Sequence, residues 1–224
     1  MRCANLLVVP LLFLVHSLAC ALNGAEPTEA QTKQIAQLIE NLASKATAPG
    51  KGSKELAPTE EAIWKATDEL TKLGILAFPQ LIAHLDDPRF SFSEDSLASA
   101  AVYHRSVGYL CQQIFGRQLK VYVPWNVPDP RGTPGFGTSE LPSEKQQAQA
   151  WWEANRSKTL WELQVANIEQ VIALNEQRKA AGFDSPEQRQ LCDAAIQANR
   201  ELAKQLTATK TAQTTKPYRP VLNR

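Results

Sequence analysis

Four places in this chain join a helix start signal, a hydroxyl residue followed three positions later by an acid or an amide, to a helix-like stretch. They are Thr28-Glu29-Ala30-Gln31, Ser143-Glu144-Lys145-Gln146, Thr159-Leu160-Trp161-Glu162 and Ser185-Pro186-Glu187-Gln188. In such a box the hydroxyl accepts from a backbone N–H that the first turn leaves unpaired, and the later side chain accepts from the cap's own N–H. Apolar stripes at helical spacing come after the boxes: Ile35, Leu38, Ile39 and Leu42 after the first, and Leu191, Ala195, Ala198 and Leu202 after the last. Local start signals and longer-range periodicity agree, so the expected fold is all-α, a compact helical bundle.

The boxes divide the chain. Residues 22–47 carry an N-terminal amphipathic helix over 29–43, and residues 48–58, with Pro, Gly and Lys but no apolar period, read as a linker. The helical domain is expected over 59–206. Thr59 is placed to cap a helix whose buried face is Ile63, Ala66, Leu70 and Leu73, and Gly74 stops it. Pro79 suits the first turn of the next helix, which carries Leu81, Ile82 and Leu85 and ends at Asp86-Asp87-Pro88. Val107, Leu110, Cys111 and Ile114 mark another core-facing helix ending at Gly116, with Leu97 to Val102 either its start or a separate turn. Lys120 to Val123 would suit one short strand. Residues 124–142 are a long Pro/Gly-rich loop, and beyond it lie the two helices opened by the boxes at Ser143 and Thr159, the second running to Ala181 before Gly182. From Thr207 to Arg224 the chain is rich in Thr, Lys and Pro and free of acid, which predicts a disordered tail, its bases available to an anionic polymer or membrane.

The first residues look like an address. Arg2, the apolar run Leu6 to Val15 and the small residues around Ala19 and Ala21 form a secretory signal peptide over 1–21, cleaved before Leu22. The apolar run falls short of the roughly 20 residues that span a bilayer. An alternative places a lipid on Cys20, since Leu18-Ala19-Cys20 resembles the end of a lipobox, although Ser17 stands where that pattern wants a bulky aliphatic. The expected location is exported, periplasmic or extracellular, or lipid-anchored through Cys20.

Removing the leader takes Arg2 and no acid, leaving 23 Lys and Arg against 23 Asp and Glu. A neutral chain lacks the basic face that displaces phosphate counterions, so nucleic acid is not an expected partner. Two cysteines remain beyond the leader, Cys111 and Cys192. They either bridge in an oxidising compartment or sit singly as small apolar residues.

The stretch Leu73-Gly74-Ile75-Leu76-Ala77-Phe78-Pro79-Gln80-Leu81-Ile82-Ala83-His84-Leu85-Asp86-Asp87 resembles the helix-turn-helix of a HEAT-like repeat, with Gly at the turn, Pro opening the second helix and an Asp pair closing it. Ser106-Val107-Gly108-Tyr109-Leu110-Cys111 and the Trp-rich residues 151–164 are similar to the later helical segments of uncharacterised exported bacterial proteins of this kind. The resemblance implies a stacked-helix scaffold that presents a surface to a protein partner and no shared catalytic chemistry. A solenoid needs three or more units at a fixed period, and only one unit is legible, so one HEAT-like hairpin within a bundle is the expectation.

Candidate chemistry is sparse. His84 and His104 stand twenty positions apart, outside any spacing that puts two imidazoles on one helical turn, so no metal or cofactor is expected. Convergence of His84, Asp86, Asp87 and Cys111 is the metal alternative to a simple turn at Asp86-Asp87-Pro88. Gly135-Phe136-Gly137-Thr138-Ser139 lacks the flanking strand and helix of a nucleotide-binding or nucleophile motif. Cys111 lies about 10 Å of helix axis from His104, beyond a direct hydrogen bond. No catalytic residue is assigned. For binding, Trp125, Trp151, Trp152 and Trp161 offer aromatic faces, and the adjacent Trp151 and Trp152 cannot both face one core, so one should be partly exposed or covered by the 124–142 loop. Asn155-Arg156-Ser157 is a glycosylation sequon in a eukaryotic host. The leading expectation is an exported, non-catalytic scaffold or interaction protein. The alternative is an envelope glycan-binding or glycan-processing protein that uses the Trp residues and the 124–142 loop.

Overall fold

The computed structural model describes residues 26–50, 53–57, 60–95, 101–120, 144–183 and 185–219. The expected leader at 1–21, Cys20, the cap at Thr59, residues 121–123 of the strand expected over Lys120 to Val123, Trp125 and the 124–142 loop lie outside the described residues. The chain is mostly helical.

Helix α1, Glu29–Glu40, begins where the first box sits: Thr28 Oγ1 accepts from the Gln31 N–H at 3.2 Å and Gln31 Oε1 accepts from the Thr28 N–H at 2.9 Å. Its stripe buries Ile35, Leu38 and Ile39, with Leu42 buried just beyond the helix end. Helix α2, Glu61–Leu73, starts at Glu60, whose side chain caps nothing in its own helix. The Glu60 carboxylate instead accepts from the Ser44 hydroxyl and, at 2.8 Å, from the Lys45 N–H, pinning the start of the linker. The linker meets the body again where the Ala57 N–H donates to Ser93 Oγ at 3.2 Å.

Gly74, with φ of 61°, turns the chain out of α2 into a single 3₁₀ turn, Gly74–Ala77, that leads directly into α3, Phe78–Ala83. The second helix of the expected hairpin is thus only six residues long, and it packs chiefly on helices that come later in the chain and not on α2. Leu85 lies past the helix end and is only half-buried. Helix α4, Val107–Leu119, overruns the expected stop at Gly116, because a single helical glycine costs only about 1 kcal/mol and the helix beyond it buries Gln118 and Leu119. Leu81, Ile82, Val107, Leu110 and Ile114 join Phe78, Phe115 and the α1 and α2 stripes in one core, with Leu85 packed at its margin.

The all-α expectation needs correcting between α3 and α4. Strands β1, Phe90–Asp95, and β2, Val102–Ser106, pair antiparallel, with Ser93 opposite His104 and Glu94 opposite Tyr103. The register slips between Phe90 and Phe92, and the bulge residue Ser91 donates its hydroxyl to the Leu42 carbonyl at 2.6 Å. Neither a helix start nor a turn, Val102 opens a strand. The signal for a strand was present in the Phe-Ser-Phe-Ser alternation and the Val-Tyr pair, at a period of two.

Helix α5, Lys145–Asn155, follows Glu144, whose side chain makes no cap; Ser143, which opens the expected box, lies outside the described residues. The box at Thr159 does form, opening α6, Leu160–Ala181, and Gly182 at φ 94° closes it. Helix α7, Pro186–Thr209, is capped by Ser185 on the Gln188 N–H. The last two helices run back along each other, with Lys179 paired to Asp193 near the turn and Ile168 packed on Leu202 and Leu206 at the far end. Buried amides join this pair to the body: Gln164 and Asn167 donate to the carbonyls of Gln118 and Leu119 at 2.8 and 3.0 Å, satisfying acceptors that the end of α4 leaves open.

The disorder expected over 207–224 does not hold for residues 207–219, and residues 220–224 lie outside the described residues. Residues 207–209 continue α7, and after Lys210, at φ 51°, residues 211–219 lie as an extended strap against α6, α4, β1 and α2. Thr215 and Arg219, from the stretch whose composition suggested disorder, hydrogen-bond to the body, and Tyr218 buries its ring. Cys111 and Cys192 are unbridged and apart in the fold, Cys111 in the α3–α4 core and Cys192 donating to the Asn175 carbonyl at 3.3 Å between α6 and α7.

Candidate functional site

An open groove of about 640 Å³ lies between the start of α1, the 3₁₀ turn with α3, and α5. Ile75, Leu76 and Ile82 form its apolar floor, and Pro79 and Gln80 form one wall. Gln80 Nε2 donates to the Thr32 carbonyl at 2.9 Å, which fixes the α1 side relative to α3. The α5 wall presents Gln149, Trp152, Glu153 and Arg156 one turn apart, as helical spacing requires. Arg156 stands 3.8 Å from Glu26 and 3.5 Å from Glu153, so the rim carries both charge signs.

The two adjacent tryptophans divide their contacts. Trp151 meets the Phe115 ring edge-on at 5.5 Å and Trp152 meets Phe78 at 5.6 Å. Contrary to the expectation that they cannot share one core, both pack half-buried on the same core, because the surface they cover spans α3 and α4 and is wide enough for two side chains set about 100° apart on one helix. Only Trp152 also lines the groove. Trp161 is half-buried on α6 and joins no such site. Asn155 donates to the Trp151 carbonyl at 2.7 Å and accepts from Lys158, closing the end of α5.

The other candidates are drawn into the scaffold. Asp87 accepts from Arg89 Nε and Nη2, from the Arg89 N–H and from His84 Nδ1 at 3.2 Å, while Arg89 Nη1 reaches Glu40 at 2.5 Å. The Arg89 hydrogen bonds hold the Asp87 carboxyl at about 2, well below its usual range. Asp86 turns to Lys145 at 2.9 Å and Cys111 is fully buried, so His84, Asp86, Asp87 and Cys111 do not form one ligand set. Among the described residues no group of three His, Cys, Asp or Glu side chains is placed to hold a metal. Burial pushes the Cys111 thiol up to about 12 and also raises Cys192, the opposite of what an activated nucleophile needs.

One pairing was missed in the sequence: Ser93 Oγ lies 2.9 Å from His104 Nδ1 across the sheet. Ser93 is 4 % exposed and its oxygen also accepts from the Ala57 N–H, so it is enclosed. His104 Nε2 is buried without a hydrogen-bond partner. Eleven residues of separation, spanning a strand, a connection and a strand, give no motif from which this pair could be read.

No family model, curated protein or solved structure matches the chain. The chemistry of the groove must therefore be read from its own residues. It offers one large aromatic edge, an apolar floor, amide and hydroxyl groups on two walls and a mixed-charge rim.

Proposed function

We propose that this chain is an exported, non-catalytic interaction protein that takes a segment of a partner protein in the groove between α1, α3 and α5. The observation that carries the reading is Trp152, which is anchored on buried Phe78 yet lines an open groove flanked by Glu26, Glu153 and Arg156. Aromatic and arginine side chains at the centre of a concave apolar patch are the residues that dominate binding energy in protein interfaces. The HEAT-like sequence of residues 73–87 supports a scaffold role, and the residues of 1–21 support export. The enclosed Ser93 and the raised cysteine thiols favour binding over nucleophilic chemistry.

The experiment is affinity capture with the full chain, in parallel with Trp152→Ala and Arg156→Glu. One partner protein retained by the parent and lost from both variants supports the reading. Equal retention by all three refutes this groove as the binding surface.

A second reading rests on the same wall. Trp152, with Gln80, Gln149 and Glu153 around it, is also the combination of aromatic surface and planar polar groups that suits a sugar, and titration with envelope oligosaccharides separates the two readings. Saturable oligosaccharide binding that Trp152→Ala abolishes would favour the glycan.

A further inference from the structure

The strap after α7 is held as a bound peptide would be. Gln213, Thr215 and Pro217 are half-buried while Thr214 and Lys216 are exposed, and Tyr218, next to Pro217, is buried. The Gln164 side chain reads its backbone at both groups: the Gln213 N–H donates to Gln164 Oε1 at 2.8 Å and Gln164 Nε2 donates to the Gln213 carbonyl at 3.1 Å. Thr215 donates to the Arg117 carbonyl at 3.2 Å. Tyr218, 7 % exposed, donates to Glu94 and packs its ring on Phe92 and Tyr109 at 6.0 Å, with the Arg117 guanidinium 4.8 Å from its centroid. Arg219 ends the strap in a two-point pair with Asp68, at 2.6 and 2.7 Å, beside the Trp64 ring.

We propose that residues 211–219 fill a peptide-recognition cleft as an intramolecular ligand, and that the cleft's outside ligand is an extended segment bearing a tyrosine followed by an arginine. This inference is independent of the α1–α3–α5 groove. The walls of the cleft come from α2, β1, α4 and α6, and α4 contacts each of the other three without help from the strap. The strap contributes no helix or strand, so its departure breaks no secondary structure. The cleft also stays assembled electrostatically: Arg105 holds Glu94 at 2.5 Å through Oε1, leaving Oε2 for the incoming tyrosine hydroxyl, and Asp68 with Trp64 remains a seat for a guanidinium. Lys210, the sole non-glycine residue at positive φ among those described, is the C-cap at which the chain leaves α7 for the strap.

The test uses the full chain and a fluorescent nine-residue peptide of the strap sequence, Thr211 to Arg219. While the strap occupies the cleft, apparent affinity falls by the fraction of molecules open, so the full-length Tyr218→Ala/Arg219→Ala variant should bind the peptide at least about tenfold more tightly than the parent. A peptide carrying Tyr218→Ala should bind neither. Equal or absent binding in parent and variant, with the variant melting as a folded protein, overturns the proposal. Hydrogen exchange on the parent decides the matter without a variant. Excess unlabelled peptide should speed exchange at the Gln213 amide while leaving α7 unchanged, and exchange of that amide only through global unfolding would make the strap a fixed part of the fold.

Discussion

The N-terminal turn of α4 presses Gly108 against the Leu85 carbonyl so closely that a Cβ at Gly108 would lie 2.4 Å from that oxygen. The Gly108 N–H donates to the Asp87 carbonyl at 3.0 Å and the Val107 N–H to the Arg89 carbonyl at 2.8 Å, so the turn after α3 and the start of α4 are locked by backbone. A methyl there meets backbone, which cannot step aside as a flexible side chain could. Gly108→Ala should therefore destabilise the protein by more than about 2 kcal/mol, despite alanine's better helix propensity, and a denaturant melt reads the difference directly. A stabilised variant would mean that α4 does not approach this turn.

Leu81 tests the core beneath the groove. It is fully buried among Phe78, Leu110 and Ile114 in one cluster, so Leu81→Ala should cost about 2–5 kcal/mol in a urea melt. Lys210→Gly should act in the opposite direction and raise stability by up to about 1 kcal/mol, because glycine adopts the left-handed conformation at φ 51° without a Cβ penalty.

The Asp87–Arg89 pair predicts a specific acid limb. The Asp87 pKa is lowered in the fold to about 2, chiefly by hydrogen bonds from Arg89, so its contribution is fully present above the unfolded value of about 4 and is lost as pH falls from there toward 2. Asp87→Asn should cost about 1–2 kcal/mol at neutral pH and should flatten the decline in stability between about pH 4 and 2. Stability profiles of parent and variant across that window check the sign; parallel acid limbs would contradict the pairing.

Much of the helical frame was legible because helices announce themselves locally. Thr28, Thr159 and Ser185 sit at true N-caps, and the stripes from Ile35, Ile63 and Leu81 point into the core as their period requires. The sheet was overlooked because helical periodicity dominated the chain and the strands are short, although Phe90 to Ser93 alternate at a period of two. The strap could not be read from apolar pattern at all. Apart from Tyr218, it is held by polar groups whose partners, Gln164, Arg117, Glu94 and Asp68, lie 49 to 151 residues away. The groove was half legible: adjacency of Trp151 and Trp152 implied that a tryptophan would reach the surface, but only the packing of α5 on α3 brings Trp152 beside Ile75 and Gln80.

The central claim is that the groove at Trp152 receives a protein segment, and site-specific photo-crosslinking tests it most directly. A photoreactive residue at Gln149, on the groove wall, should give one discrete protein adduct with the partner, and the adduct should disappear when Trp152→Ala is added. The same residue at Lys204, exposed on α7, should give none. An adduct that forms equally at Lys204, or that persists without Trp152, would contradict the account.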